Sequence, residues 1–272
     1  MPFFDIEKHT DAALKMLRND IINMAERSAH VAVALSCVDI IAALYFGVLK
    51  VYPKNPKTEK RDRFILSKGH GCMALYAVLA RRGFFDLAVL ESYCRNGSIL
   101  AEHPLADKIP GIEFAAGTLG HGLPVGAGIA KSLKLKGSSS RVFILMGDGE
   151  CDEGTVWEAA AVSSAHKLDN LTVLVDWNGF QACDRCKNIS GDIYLPARWS
   201  AFGWDVEEVD GHDYHPLVRT IKRFNYPDKP RVIFCKTLKG KGIDFMENNL
   251  EWHYRPVRGK DKTRVLRRLF NA

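Results

Sequence analysis

One carboxylate and one amide, Asp148 and Asn178, lie 30 positions apart, each in a turn that closes an apolar run. The first run, Val142-Phe143-Ile144-Leu145-Met146, breaks at Gly147-Asp148-Gly149-Glu150. The second, Leu171 to Val175, ends at Asp176-Trp177-Asn178-Gly179-Phe180. A carboxylate paired with an amide oxygen is hard-oxygen coordination. It suits Mg²⁺ or Ca²⁺, with backbone carbonyls, water and substrate phosphate oxygens in the remaining positions. Gly147 and Gly149 allow close backbone approach. A helix that begins after the first turn can point its free N–H groups at a diphosphate.

Bringing those two side chains together takes a βαβ unit. A helical pattern from Glu153 to Lys167 separates the two apolar runs, and the spacing is that of one crossover. Parallel neighbouring strands would then put both turns at the sheet edge where open α/β folds bind ligands. Around this unit the chain reads as alternating helices and strands. Asp5 to Ser28 is helical, with Ala12, Ala13, Met16, Leu17, Ile21 and Met24 on one face. Ser36 reads as the N-cap of a second helix over Val38 to Leu49. Tyr52 to Arg63 is a surface loop, and Phe64-Ile65-Leu66 leads through Ser67-Lys68-Gly69-His70-Gly71 into a helix from Met73 to Arg82. A further helix runs through Lys136. Gln181 to Pro196 is loop-like, and strands at Trp204 to Val209 and Arg231 to Lys236 flank a helix from Tyr214 to Phe224.

A chain of 272 residues with 47% hydrophobic content can bury a large core. No apolar run reaches membrane-spanning length, and Met1 to Glu7 has no signal-peptide pattern. Seven scattered cysteines point to reduced thiols and a cytoplasmic protein. Cys183 and Cys186 form a CxxC with no second pair at zinc spacing, so it carries no metal or redox assignment. The net charge of +6 resides in the C-terminal stretch from Arg255, where seven basic residues meet only Asp261. The body is therefore balanced, which argues against a nucleic-acid protein with a distributed basic face. The basic end either docks on an acidic partner surface or is a solvated tail.

Gly147-Asp148-Gly149 with Asn178 downstream resembles the thiamine diphosphate signature. The fuller string from Gly147 to Ala160, followed by Lys167-Leu168-Asp169-Asn170-Leu171, is similar to the amino-terminal half of a transketolase. The likeness runs from about residue 10 to 255. His70 between its two glycines matches the family's Gly-His-Gly. Ala29-His30-Val31 stands where the family carries Gly-His-Pro. Gly117-Thr118-Leu119-Gly120-His121-Gly122 keeps the glycines of a family segment with His in place of Gln, and Tyr254 replaces Gly after Trp252-His253.

The resemblance implies an α/β fold, a mostly parallel sheet flanked by helices. Residues 1–272 would be a single diphosphate-binding domain with a basic tail from about 255. It implies thiamine diphosphate held by His70, Gly117, Leu119, Gly147, Asp148, Gly149, Glu150, Asn178 and Phe180, and a divalent ion on Asp148, Asn178 and Phe180. His30, His70, His103 and His253 would line the substrate channel. Glu153 and Glu158 match acids that relay protons between two active sites; charge stabilisation of a helix N-terminus explains Glu153 equally simply and Glu158 more simply. The Glu that activates the cofactor's pyrimidine ring belongs, in the family, to a second domain. A separate pyrimidine-binding subunit is therefore expected, in an α₂β₂ assembly. The implied reaction is two-carbon ketol transfer from a ketose (phosphate) to an aldose, with small sugars or sugar phosphates as substrates and no nucleic acid or membrane involved. Acyloin formation or 2-oxo acid decarboxylation, and a non-catalytic regulatory role, are the alternatives.

Overall fold

The structure, a computed structural model, describes residues 6–223 and 226–271. In chain order, α1 (Thr10–Met24), α2 (Val31–Ala42) and a π-helical turn (Ala43–Val48) precede β1 (Arg63–Leu66) and α3 (Cys72–Arg82). Then come α4 (Gly122–Leu135), β2 (Val142–Gly147), α5 (Gly154–Ala165) and β3 (Leu171–Trp177). Two short helices, α6 (Cys186–Ser190) and α7 (Leu195–Ala201), lead to β4 (Asp205–Asp210), α8 (Tyr214–Lys222), β5 (Arg231–Lys236) and α9 (Gly259–Asn271).

The five strands form one sheet, in the order β1-β2-β3-β5-β4, and every pairing is parallel. The apolar runs have a simple cause: a parallel sheet is covered on both faces, so both sides of the inner strands β2, β3 and β5 are largely apolar, whereas the edge strand β4 is acidic and partly exposed. In β2, Phe143 and Leu145 enter one core, beneath α1, α2, α3, α8 and α9. Val142, Ile144 and Met146 enter the other, beneath α4, α5 and α7. Strands β2 and β3 are neighbours in a register that pairs Gly147 with Asp176. The turns carrying Asp148 and Asn178 therefore leave the same sheet edge, as the βαβ pattern requires.

Several local expectations are corrected. Helix α1 is shorter than Asp5 to Ser28, and Asp5 lies outside the described residues, as does Phe224 at the expected end of α8. Its buried stripe includes Leu14, Arg18 and Ile22, whereas Ala12 and Met16 are exposed. Arg18 turns inward because Asp39 is buried opposite it. Ser36 is no N-cap. It lies inside α2, fully buried, and its hydroxyl donates to Asp176 Oδ1 at 2.8 Å. A tertiary acceptor thus pulls into the core a residue that local sequence reads as a helix start. The expected loop from Gln181 to Pro196 contains α6 and the start of α7.

The apolar stretch Val31–Val48, α2 with its π turn, spans 18 residues at mean hydropathy 2.2 and does reach membrane-spanning length. It is 83% buried inside the fold, so its apolarity serves the core. The basic end is not a free tail either. It forms α9, whose Val265 and Leu269 are buried in the core shared with α1. Arg258 donates to the Glu26 carbonyl at 2.6 Å, Lys262 pairs with Glu26 at 2.9 Å, and Arg264 lies 3.8 Å over the Phe245 ring.

Candidate active site

The two polar turns are tied to each other. Gly179 N–H donates to Asp148 Oδ2 at 2.6 Å, and Gly149 N–H donates to Oδ1 at 3.0 Å. Gly179 adopts φ +79°, a conformation that suits glycine and lets its N–H face back toward β2. Asn178 is fixed just as firmly. Its Oδ1 accepts from Phe180 N–H at 3.0 Å, and its amide nitrogen donates to Ser36 Oγ and Asp176 Oδ2, both at 3.3 Å. Each of the two turn oxygens therefore keeps a lone pair for a further ligand.

Beneath this pair lies a buried ionic cluster that the motifs do not assign. Asp176 is fully buried and accepts from Lys68, Thr237 and Ser36. Burial pushes its carboxyl up, but Lys68 and the two hydroxyls outweigh that and hold it ionised. Burial likewise pulls on the Lys68 ammonium, and Asp176 more than restores its charge. Asp148 is bonded by backbone N–H groups instead of a cation. Burial, then the nearby Asp176 charge, pushes its carboxyl up to about 6.

These groups open on one cavity, lined by His70, Leu119, Gly147, Asp148, Gly149, Glu150, Asn178, Phe180 and His253, together with Val33, Lys68, Gln181, Lys239 and Tyr254. Glu150 lines it, but its oxygens are taken up internally. They accept from the Ser67 hydroxyl, from Gly120 N–H at 2.8 Å and from Gly147 N–H at 3.2 Å. Glu150 thereby braces the glycine segment ahead of α4 against the Asp148 turn. Gly120, at φ +79°, packs against the base of α5, where an added Cβ would meet Thr155 Oγ1 at 2.6 Å.

The four histidines converge. Ring centroids of His30 and His70 lie 4.7 Å apart, His70 and His103 5.0 Å, and His30 and His253 5.8 Å. Tyr254 joins them, 5.1 Å from His30 and 4.6 Å from His253. Gly117 lies beside this group, with an added Cβ 3.8 Å from the His103 ring. Burial, reinforced by His103 and Lys239, lowers His30 to about 4. Burial and then His30 and His103 lower His70 to about 4; burial and then Lys239 lower His253 to about 3.

A base whose folded pKa is depressed favours the folded state above its unfolded value, near 6.5, and loses that contribution as pH falls through the folded value. Folding therefore weakens as pH falls from about 6.5 to about 4 for His30 and His70, and to about 3 for His253. We expect an imidazole chemical-shift titration to find His30 and His70 neutral down to about pH 4. Titration of either near 6.5 would contradict the burial assigned to this cluster.

Glu153 and Glu158 lie outside the cavity. Both are exposed on α5, and Glu153 occupies the N-cap position with no side-chain capping bond. His121 is exposed ahead of α4, its Nδ1 3.0 Å from the Leu119 carbonyl. Cys183 is exposed, and burial together with Asp148 raises the Cys186 thiol to about 12. All seven cysteines are free thiols.

Lys239 is the main residue the motifs do not flag. It is 1% exposed, and its Nζ lies 2.5 Å from His253 Nδ1 and 3.1 Å from the Gln181 carbonyl. Burial and then Lys68 lower it to about 8, so it remains a cation at neutral pH. A buried lysine just past an apolar strand is an uncommon placement, and the signals the sequence offers are its position after β5 and its place at the start of the stretch to His253 that resembles the family's closing loop.

The cavity fits a divalent cation carrying a diphosphate. It offers a desolvated carboxylate short of a counter-charge, an oriented amide oxygen, and two buried ammonium groups for phosphate oxygens. A Cβ at Gly147 would meet nothing within 4 Å, so backbone lies open there. Among the described residues, His30 Nδ1 is buried without a hydrogen-bond partner, and a hydroxylated ligand would satisfy it.

Comparison with known proteins agrees with this arrangement. The family described as transketolase, thiamine diphosphate binding domain, matches residues 6–271, which includes α9. The chain is 40% identical over 229 residues to one subunit of the apulose-4-phosphate transketolase of Phocaeicola vulgatus, covering 84% of this chain and 81% of that protein. It is 37% identical over 225 residues to 6-deoxy-6-sulfo-D-fructose transketolase subunit SqwG of a Clostridium species, covering 82% of each. The solved transketolase of Leishmania mexicana superposes with a TM-score of 0.86 at 26% identity, covering 97% of this chain and 41% of that one. The chain thus spans about two fifths of that solved transketolase.

Proposed function

Because the chain belongs to the transketolase family, as a thiamine diphosphate-binding subunit of the split type, we propose that it transfers a two-carbon ketol unit from a ketose (phosphate) to an aldose. It does so together with a separate pyrimidine-binding subunit, in an α₂β₂ assembly. The observation that carries this reading is the Asp148–Gly179 bond, which ties the Asp148 and Asn178 turns together at the wall of one cavity that Lys68 and Lys239 also line.

In this proposal Asp148, Asn178 and the Phe180 carbonyl hold Mg²⁺, and Lys68 and Lys239 supply positive charge for the diphosphate. Bound thiamine diphosphate supplies the electron sink for cleaving the bond between the ketose carbonyl carbon and its hydroxyl-bearing neighbour. His30, His70, His103 and His253 bind sugar hydroxyls. The neutral rings of His30, His70 and His253 suit that task, because each offers one donor and one acceptor and can pass a proton between hydroxyl oxygens. The free thiols fit a reducing compartment, and we place the protein in the cytoplasm.

Donor screening of the two-subunit complex tests the reaction. We expect ketose phosphates to be cleaved and the two-carbon unit to appear on an added aldose. Release of CO₂ from 2-oxo acids with no ketose cleavage would contradict it.

A further inference from the structure

A buried polar chain below the cavity takes no part in the proposed chemistry, yet it ends one residue from Lys239. Asp39, on α2, is fully buried. It accepts from Arg18 Nη2 of α1 at 2.8 and 2.6 Å, and its Oδ2 lies 2.7 Å from His212 Nδ1. On the other side of the imidazole, Leu238 N–H donates to His212 Nε2 at 2.8 Å. A backbone N–H can only donate, so Nε2 is unprotonated. Nδ1 therefore carries the hydrogen and gives it to Asp39. The chain of bonds selects one tautomer and one ring orientation.

The loop after β5 is pinned on both sides of that bond. Thr237 is bonded to Asp176, Gly240 N–H donates to the Ala32 carbonyl at 3.0 Å, and Arg18 Nε donates to the Lys241 carbonyl at 3.4 Å. Stability alone is a weak reason for such an arrangement, because apolar residues of similar volume in place of a buried ion pair are often as stable. What the polar chain adds is position. It holds the backbone at Leu238, so the next side chain, an ammonium 1% exposed, reaches the cavity wall.

We propose that His212 is a positioning residue for the diphosphate. Its ring, fixed by Asp39 and Arg18, accepts the Leu238 N–H and thereby sets Lys239 where it meets the phosphate oxygens. The proposal rests on the thiamine diphosphate reading above.

Two conservative variants separate the two ends of the ring. His212→Gln puts an amide oxygen near the place of Nε2 and keeps an acceptor for Leu238. His212→Asn keeps a donor for Asp39 and loses that acceptor. Thiamine diphosphate with Mg²⁺ is titrated by calorimetry into the chain assembled with its partner subunit, and thermal melting checks that each variant folds. His212→Asn is expected to weaken binding by about 10-fold, as for other residues that orient a ligand-binding group, and His212→Gln to retain it. In a Lys239→Ala background, His212→Asn should cause no further loss.

Normal binding by His212→Asn overturns the proposal, as does equal weakening with and without Lys239, or a loss in His212→Gln as large as in His212→Asn. A wild-type complex that binds no cofactor at all overturns the thiamine reading and this proposal together. Normal wild-type binding that ignores His212→Asn overturns this proposal alone.

Discussion

Replacing Asp148 with Ala is expected to weaken Mg²⁺-dependent thiamine diphosphate binding by at least about 100-fold, because losing a mere outer-sphere partner of a metal ligand already costs roughly 10–100-fold. The carboxylate is 3% exposed, and burial followed by the Asp176 charge raises it to about 6, with Lys68 only partly compensating. The alanine variant also strands the N–H groups of Gly149 and Gly179, which Asp148 now accepts. An N–H left unpaired costs about 1–3 kcal/mol when buried, and less at these half-buried glycines, where water can reach it. Asp148→Asn separates the two effects. It keeps an oxygen for one of the N–H groups and removes the charge, so it should fold near normally and still bind cofactor poorly. Calorimetry with and without Mg²⁺, beside a thermal melt, checks both. Unchanged affinity in the folded Asn variant would remove Asp148 from the metal site.

The second large effect concerns the partner subunit. The chain purified alone should bind Mg²⁺ and cofactor weakly and transfer ketol units at least about 10²–10⁴-fold more slowly than the two-subunit complex, the range that a positioned acid or base contributes. The structure gives this a local basis. The buried carboxylates around the cavity are already committed: Asp176 to Lys68, Thr237 and Ser36, and Glu150 to Ser67, Gly120 and Gly147. Asp148 is assigned to the metal. On the proposed reading, the carboxylate that activates the pyrimidine ring comes from the partner subunit. Product formation measured with and without the partner subunit checks this, and full turnover by the chain alone would contradict it.

The fold is legible where the physics is local. Apolar runs of five residues closed by glycine turns mark β2 and β3, because a parallel sheet buried on both faces permits no polar alternation. The spacing of Asp148 and Asn178 predicts their meeting, because one crossover has a nearly fixed length. Ser36 misleads because its partner, Asp176, lies 140 positions away. Local sequence assigns a serine among small apolar residues to a helix start, and only the folded sheet supplies its acceptor. The inward turn of Arg18 has the same cause, since its neighbour Asp39 is buried on another helix. Helix α9 is hidden by charge: its seam is Val265, Leu269 and the half-buried Leu266 among basic residues. The two buried lysines of the site are its least legible part. Lys68 and Lys239 have no distinctive spacing from Asp148, and their burial depends on the sheet edge that gathers them.

The central claim is that Asp148 and Asn178 share one divalent ion, which in turn holds the diphosphate. A crystal structure of the two-subunit complex with thiamine diphosphate and Mn²⁺, with the ion located by its anomalous signal, tests this most directly. The account predicts the ion at about 2.0–2.3 Å from an Asp148 carboxylate oxygen, Asn178 Oδ1 and the Phe180 carbonyl, with the remaining positions taken by diphosphate oxygens and water. An ion found elsewhere, with the Asp148 carboxylate still accepting from Gly149 and Gly179 and Asn178 Oδ1 from Phe180, would contradict it.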